Sequence, residues 1–212
     1  MELVMFQAVR LRYALFIAFE IIIFALFFGS YLIGQEFLYY LYLGLTPFFL
    51  LILIYLRGDL KKNLSRLILS RDLIILLVVI TAWFYLYAVY RDSLSYLAVV
   101  LYVPVLLEEL NFRYVIITYL APIFRGGMAV IIQAVLYVAF YSIVLITYPA
   151  GYPGILSEFF LMDMFSIGLI YGSIYFLRKN IYIDMAIHFS LWAMIPFTPA
   201  WLIWLPYSMA PA

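Results

Sequence analysis

The sequence has no cysteine and a single histidine among its 212 residues. Disulfides, thiolate nucleophiles and cysteine-ligated metals are excluded together, and so are zinc sites built from several imidazoles. Charge is scarce as well: 11% of residues are charged, with 12 basic against 11 acidic side chains, giving a net charge of +1. That inventory cannot assemble an extended cationic face, which excludes nucleic acid as a partner. The chain is filled instead by apolar residues, 69% on a count that includes tyrosine, and its mean hydropathy is +1.15. A water-soluble domain needs a largely polar skin and cannot hide this much apolar surface. Lipid is therefore the expected solvent, and a secreted or cytosolic enzyme is excluded. Any chemistry must be carried by carboxylates, arginine, tyrosine and one imidazole.

A helix that crosses a bilayer needs about 20 mostly apolar residues. Seven such runs stand between turn signals and charges, at about 13–33, 37–56, 73–90, 95–121, 128–148, 157–177 and 183–205. The breaks are Gly34-Gln35-Glu36, the polar stretch Arg57 to Asp72, Arg91-Asp92-Ser93, Arg125-Gly126-Gly127, the Pro- and Gly-rich Tyr148 to Gly154, and Arg178-Lys179-Asn180. Pro196 and Pro199, with Pro206 just beyond, predict that the last run is kinked or divided into two shorter pieces. The predicted fold is an all-α, polytopic transmembrane bundle, and residues 1–212 read as a single integral membrane domain without repeats or linkers.

Alternating the runs from a cytoplasmic N-terminus places Arg10, Arg12, Arg57, Lys61, Lys62, Arg66, Arg71, Arg125, Arg178 and Lys179 on the inner side, with Arg91 outside and Arg113 within a span. This bias predicts an odd number of crossings, with the N-terminus inside and the plasma membrane as the location. No signal peptide is expected, because the first apolar run is too long and lacks a small-residue cleavage site. Between Arg57 and Asp72, Leu60, Leu64, Leu67 and Ile68 fall at helical spacing among basic residues. An interfacial amphipathic helix on anionic lipid, or a basic loop that sets topology, fits that pattern.

Ionisable residues inside the runs include Glu20, Glu108, Glu109, Arg113, Asp163, Asp184 and His188. An acid at the bilayer centre costs roughly 2.5–3.5 kcal/mol on insertion scales, so such residues mark a site or a buried pair. The densest group is Glu108-Glu109-Leu110-Asn111-Phe112-Arg113, preceded by Pro104. On a helix Glu109 and Arg113 are four apart, acid before base, while Glu108 points about 100° away. Two adjacent carboxylates in low dielectric can take separate roles, one as general base and one as an orienting group. The alternative is an ion-pair network that only holds helices together. Asp184 shares a helical face with His188 and can fix its tautomer; the alternative is a histidine bonded to a neighbouring helix. Glu20 and Asp163 are expected to be packing or interfacial contacts. Gly168 and Gly172 form a G-x-x-x-G that permits close helix approach within the bundle, with homodimerisation as the alternative.

These residues resemble the pattern of the CAAX-processing and bacteriocin-processing (CPBP, ABI) intramembrane protease family. Its members carry E-E-x-x-x-R on one transmembrane helix, F-x-x-x-H on the next and H-x-x-x-N near the C-terminus. Glu108, Glu109 and Arg113 match the first motif, Arg125-Gly126-Gly127 opens a new span after it, and His188 stands at the first position of the third. The resemblance covers about 95–195. The chain reads as a divergent member: Tyr137 to Tyr141 gives Y-x-x-x-Y, so Tyr141 replaces the second-motif histidine, and Trp192 replaces the third-motif asparagine.

The resemblance implies Glu108 as the base that activates water, Glu109 and Arg113 as its supporting pair, His188 as an oxyanion donor, and no cofactor. Tyr141 is a poor base, a phenol having an ordinary pKa near 10, but it can donate a hydrogen bond. The bulk of Trp192 is expected to fill the pocket. Two functions follow: a glutamate-dependent intramembrane endopeptidase acting on a membrane-anchored peptide, or a catalytically inactive scaffold that binds a membrane protein partner. In both, membrane lipids surround the chain. A third reading places a metal on Glu108, Glu109 and His188, without a ligand-spacing signature to support it.

Overall fold

The structure is a computed structural model, and it describes residues 2–58, 62, 70–90, 94–147, 155–194 and 197. Among the described residues seven long helical segments stand at the seven apolar runs: α1 Glu2–Leu32, α2 Glu36–Leu56, α3 Arg71–Tyr90, α4 Leu94–Leu120, α5 Gly126–Thr147, α6 Ile155–Arg178 and α7 Tyr182–Met194. No strand occurs among the described residues. Five of the helices contain stretches long and apolar enough to cross a membrane, and Gly127–Ile143 is a shorter apolar helix. The predicted all-α membrane bundle is therefore the observed class. The amphipathic reading between Arg57 and Asp72 and the proline-rich end at Pro196, Pro199 and Pro206 fall largely or wholly outside the described residues.

The first helix begins well before the apolar run that predicted it. Arg10 and Arg12 are good helix formers, so charge ends the membrane-compatible stretch without ending the helix. The α1–α2 turn is made by Gly34, whose φ of +66° suits a residue without Cβ. The most extensive pairing is α5 against α6, then α1 against α2 and α3 against α7. Gly168 is the reason α5 and α6 approach so closely: a Cβ there would lie 3.0 Å from the Ala134 backbone. The G-x-x-x-G thus serves packing within the bundle.

Helix α4 is the irregular one. Leu101–Leu107 and Glu109–Ile116 are wound as π-helix, with the Glu108 amide donating to the Val103 carbonyl five residues back. Pro104 lacks an amide hydrogen, and its ring would clash with the preceding turn of an α-helix; the wider winding accommodates it. This distorted helix is also the most buried span, and every residue from Asn111 to Ile117 is buried.

Burial is inverted relative to a water-soluble protein. Leu177, Tyr90, Tyr85, Tyr55 and Phe37 are exposed, whereas Glu109, Arg113, Gln133 and Asp184 are each 0% exposed. Lipid accepts apolar side chains and rejects charge, so the polar residues collect inside. Beside them lies an aromatic core, with Phe27 stacked on Phe140 at 3.8 Å and Phe24, Tyr42 and Phe112 around it.

Candidate active site

Three helices deliver the site. From α4 come Glu108, Glu109 and Arg113, from α5 Gln133, Tyr137 and Tyr141, and from α7 His188 and Trp192. Glu108 turns toward α5: the Tyr141 hydroxyl donates to its Oε1 at 2.6 Å and the Tyr137 hydroxyl to its Oε2 at 3.2 Å. Glu109 turns toward α7, with its Oε1 2.8 Å from His188 Nδ1. All five residues singled out in the sequence, Glu108, Glu109, Arg113, Tyr141 and His188, thus converge from separate helices.

Arg113 sits behind this pair. Its Nε is 3.5 Å from Glu109 Oε2, an ion-pair distance at which neither atom forms a hydrogen bond. The π-winding between them explains the looseness, since residues four apart no longer stack as they do on an α-helix. Other groups hold the guanidinium. It lies 4.3 Å from the Tyr137 ring centroid and 5.7 Å from that of Tyr171. Gln133, its amide oriented to suit both neighbours, accepts from Arg113 Nη1 at 2.7 Å and donates to the Gly168 carbonyl at 3.2 Å.

The histidine is held by both ring nitrogens. Trp192 Nε1–H donates to His188 Nε2 at 2.9 Å. An indole can only donate, so Nε2 is the acceptor and the ring proton sits on Nδ1, where it is given to Glu109. Asp184, expected to fix this tautomer, does not: Glu109 on the neighbouring helix takes the bond, and both Asp184 oxygens are buried without a hydrogen-bond partner. Sequence distance favoured Asp184, but the carboxylate that reaches the imidazole comes from 79 residues away.

Beside these groups lies a cavity of about 480 Å³ lined by Tyr137, Tyr141, Tyr171, His188, Trp192 and the apolar Ile167, among others. Trp192 forms part of its wall and leaves it open, contrary to the expectation that the indole fills the pocket. Asp163 is exposed on the same lining. Glu20 is a packing contact, its Oε2 accepting from Asn111 Nδ2 at 3.2 Å. Among the described residues no group of three His, Cys, Asp or Glu side chains is placed to hold a metal ion. Glu108 and Glu109 face different helices, which separates the three ligands of the metal reading.

Residues 90–194, just under half of the chain, match the family model described as type II CAAX prenyl endopeptidase Rce1-like. That segment is similar to the Rce1-like family. The Rce1-like segment spans α4 to α7 and contains every side chain of the site just described. The chain is a CAAX-protease-like, multi-pass integral membrane protein. No curated protein and no solved structure matches it.

Tyr137 and Trp192 were both visible in the sequence as motif positions, yet neither was singled out as part of the site. The signal for Tyr137 was its spacing of four from Tyr141, which puts both hydroxyls on one face of α5. Gln133 and Tyr171 gave no signal, since an amide and a phenol on long apolar helices look alike whether they face lipid or arginine.

Proposed function

We propose that the chain is a slow, glutamate-dependent intramembrane endopeptidase whose substrate is a membrane-anchored peptide, in the manner that the name of its family indicates. The observation that carries this reading is a cavity lined by Tyr137, Tyr141 and His188, with both tyrosine hydroxyls bonded to the Glu108 carboxylate behind them. In this mechanism Glu108 takes a proton from water, and the water oxygen attacks the scissile carbonyl carbon. The oxyanion that forms is met by the Tyr141 hydroxyl on the cavity wall, which turns to it once Glu108 has taken up the proton. Collapse breaks the C–N bond, and the proton held by Glu108 passes to the departing amine. Glu109 and Arg113 orient the imidazole and compensate charge. We further assign the whole chain as one membrane domain with a cytoplasmic N-terminus in the plasma membrane, on the strength of its basic-residue bias.

The reaction is slow for two reasons of composition. A missing acid–base group removes about 100- to 10,000-fold in rate, and Tyr141 stands where the family has a histidine. His188 Nε2 is an acceptor bonded to Trp192, so as it stands the imidazole offers the oxyanion no proton. That bond also favours a second reading, an inactive scaffold that uses the cavity to bind a membrane protein partner. One experiment separates them. Purified protein in detergent should cleave a prenylated, membrane-anchored peptide, and Glu108→Gln should abolish cleavage while leaving the thermal midpoint close to that of the wild type. Absence of turnover in the wild type, with a stable partner recovered on gentle solubilisation, supports the scaffold. Cleavage that survives Glu108→Gln removes this residue from the mechanism.

A further inference from the structure

A second cavity, of about 310 Å³, lies at the Arg-rich end of the bundle, between α1, the end of α2 and the end of α4. Its described lining is Val9, Arg12, Tyr13, Arg57, Tyr119 and Pro122, which includes two guanidiniums and, among the described residues, no carboxylate. Arg57 is held in position: it donates to the Thr118 carbonyl, and its guanidinium sits 5.2 Å from the Tyr119 ring centroid. Tyr119 is itself fixed. It is 1% exposed, stacked on Phe16 at 4.5 Å and edge-on to Tyr13 at 5.9 Å, and its hydroxyl donates to the Leu53 carbonyl at 2.9 Å. Arg12 is half-buried and forms no hydrogen bond or ion pair among the described residues.

A partly desolvated guanidinium beside a second one concentrates positive charge, and an oxyanion with several acceptor oxygens is the chemistry that relieves it. The surrounding surface narrows the source of that oxyanion. On the same two helices Leu11, Ile17, Leu51, Ile52 and Tyr55 are exposed, and in a membrane protein such faces are covered by acyl chains. We propose that this cavity binds the phosphate of an anionic phospholipid, with Arg12 and Arg57 on its oxygens and the acyl chains along α1 and α2. Basic pockets between transmembrane helices take such head groups. The bound lipid braces the end of α4, because Arg57 holds the Thr118 carbonyl while Thr118 Oγ1 meets the Tyr175 hydroxyl of α6 at 3.0 Å. None of this depends on peptidase chemistry.

The test uses delipidated full-length protein in detergent, with phosphatidylglycerol, phosphatidylcholine or inorganic phosphate added separately. Native mass spectrometry reads lipid retention, and thermal unfolding reads stabilisation. Phosphatidylglycerol is expected to be retained in preference to phosphatidylcholine. Arg12→Gln should weaken that binding about fivefold, the contribution of one basic side chain near a membrane surface. Arg12→Lys should keep part of the preference, since it retains the charge and loses the fork. Arg125→Gln, which removes an exposed arginine outside the lining, should leave retention unchanged. Equal retention of the two lipids, or an equal loss in Arg125→Gln, overturns the proposal in favour of a general basic surface. A thermal shift from inorganic phosphate as large as that from phosphatidylglycerol overturns it in favour of a free-anion site.

Discussion

Trp192 decides what His188 can do. The indole N–H and the imidazole Nε2 are four residues apart on α7, so the bond between them is local and forms as soon as the helix does. With its other nitrogen committed to Glu109, the ring is fixed in orientation and tautomer but has no proton to offer the cavity. Trp192→Asn removes the bond to Nε2 and supplies the amide that the family motif carries at that position. Restoring one oxyanion donor is worth about 100- to 1000-fold in rate, so turnover of the prenylated peptide should rise by about that factor over wild type. Trp192→Phe removes the same bond without adding a donor and should change turnover far less. Equal rates for the two variants would detach the amide from the effect.

At the scale of the helix, α4 and the α5–α6 pair set the geometry. The π-winding after Pro104 separates Glu109 from Arg113 and leaves the guanidinium to be held from the side by Gln133 and Tyr137. That support requires α6 to lie close. A Cβ on Gly172 would come within 2.6 Å of the end of the Gln133 side chain and 3.1 Å of Val130 Cγ1. Gln133 is fully buried and bonded on both sides, so it has little room to give. Gly172→Ala should therefore destabilise by about 1–3 kcal/mol through overpacking, lowering the thermal midpoint in detergent by several degrees. A midpoint equal to that of wild type would show that Gln133 can step aside.

For the molecule as a whole, the polar centre is both the proposed site and the most vulnerable part of the fold. Glu109 and Arg113 are entirely buried, and breaking such a pair by removing one partner costs about 3–5 kcal/mol because the other charge is left uncompensated. Arg113→Ala should consequently unfold far more readily in thermal or denaturant titration. Replacing Glu109 and Arg113 together by methionine should be much milder for stability while abolishing the proposed peptidase activity, since the imidazole loses its anchor. If the double variant were as unstable as Arg113→Ala, shape rather than charge would be the cause.

Composition and hydropathy alone determined that the chain lives in lipid, and runs of apolar residues between turn signals located the seven long helices among the described residues, because the bilayer imposes one length and one polarity on whatever crosses it. The spacing of Glu108, Glu109 and Arg113 was likewise readable, being a matter of position along a single helix. Which carboxylate meets the imidazole was not. Asp184 has the right sequence spacing, and Glu109 wins because α4 and α7 are brought together by packing that no local pattern encodes. The same holds for Tyr137 and Gln133, whose hydrogen-bonding groups acquire meaning only when another helix places Glu108 or Arg113 opposite them, and for Tyr171, whose ring faces the Arg113 guanidinium. A sequence states which side chains must leave the lipid; the tertiary structure alone chooses their partners, since a buried polar group takes whichever neighbour the helix packing puts within about 3 Å.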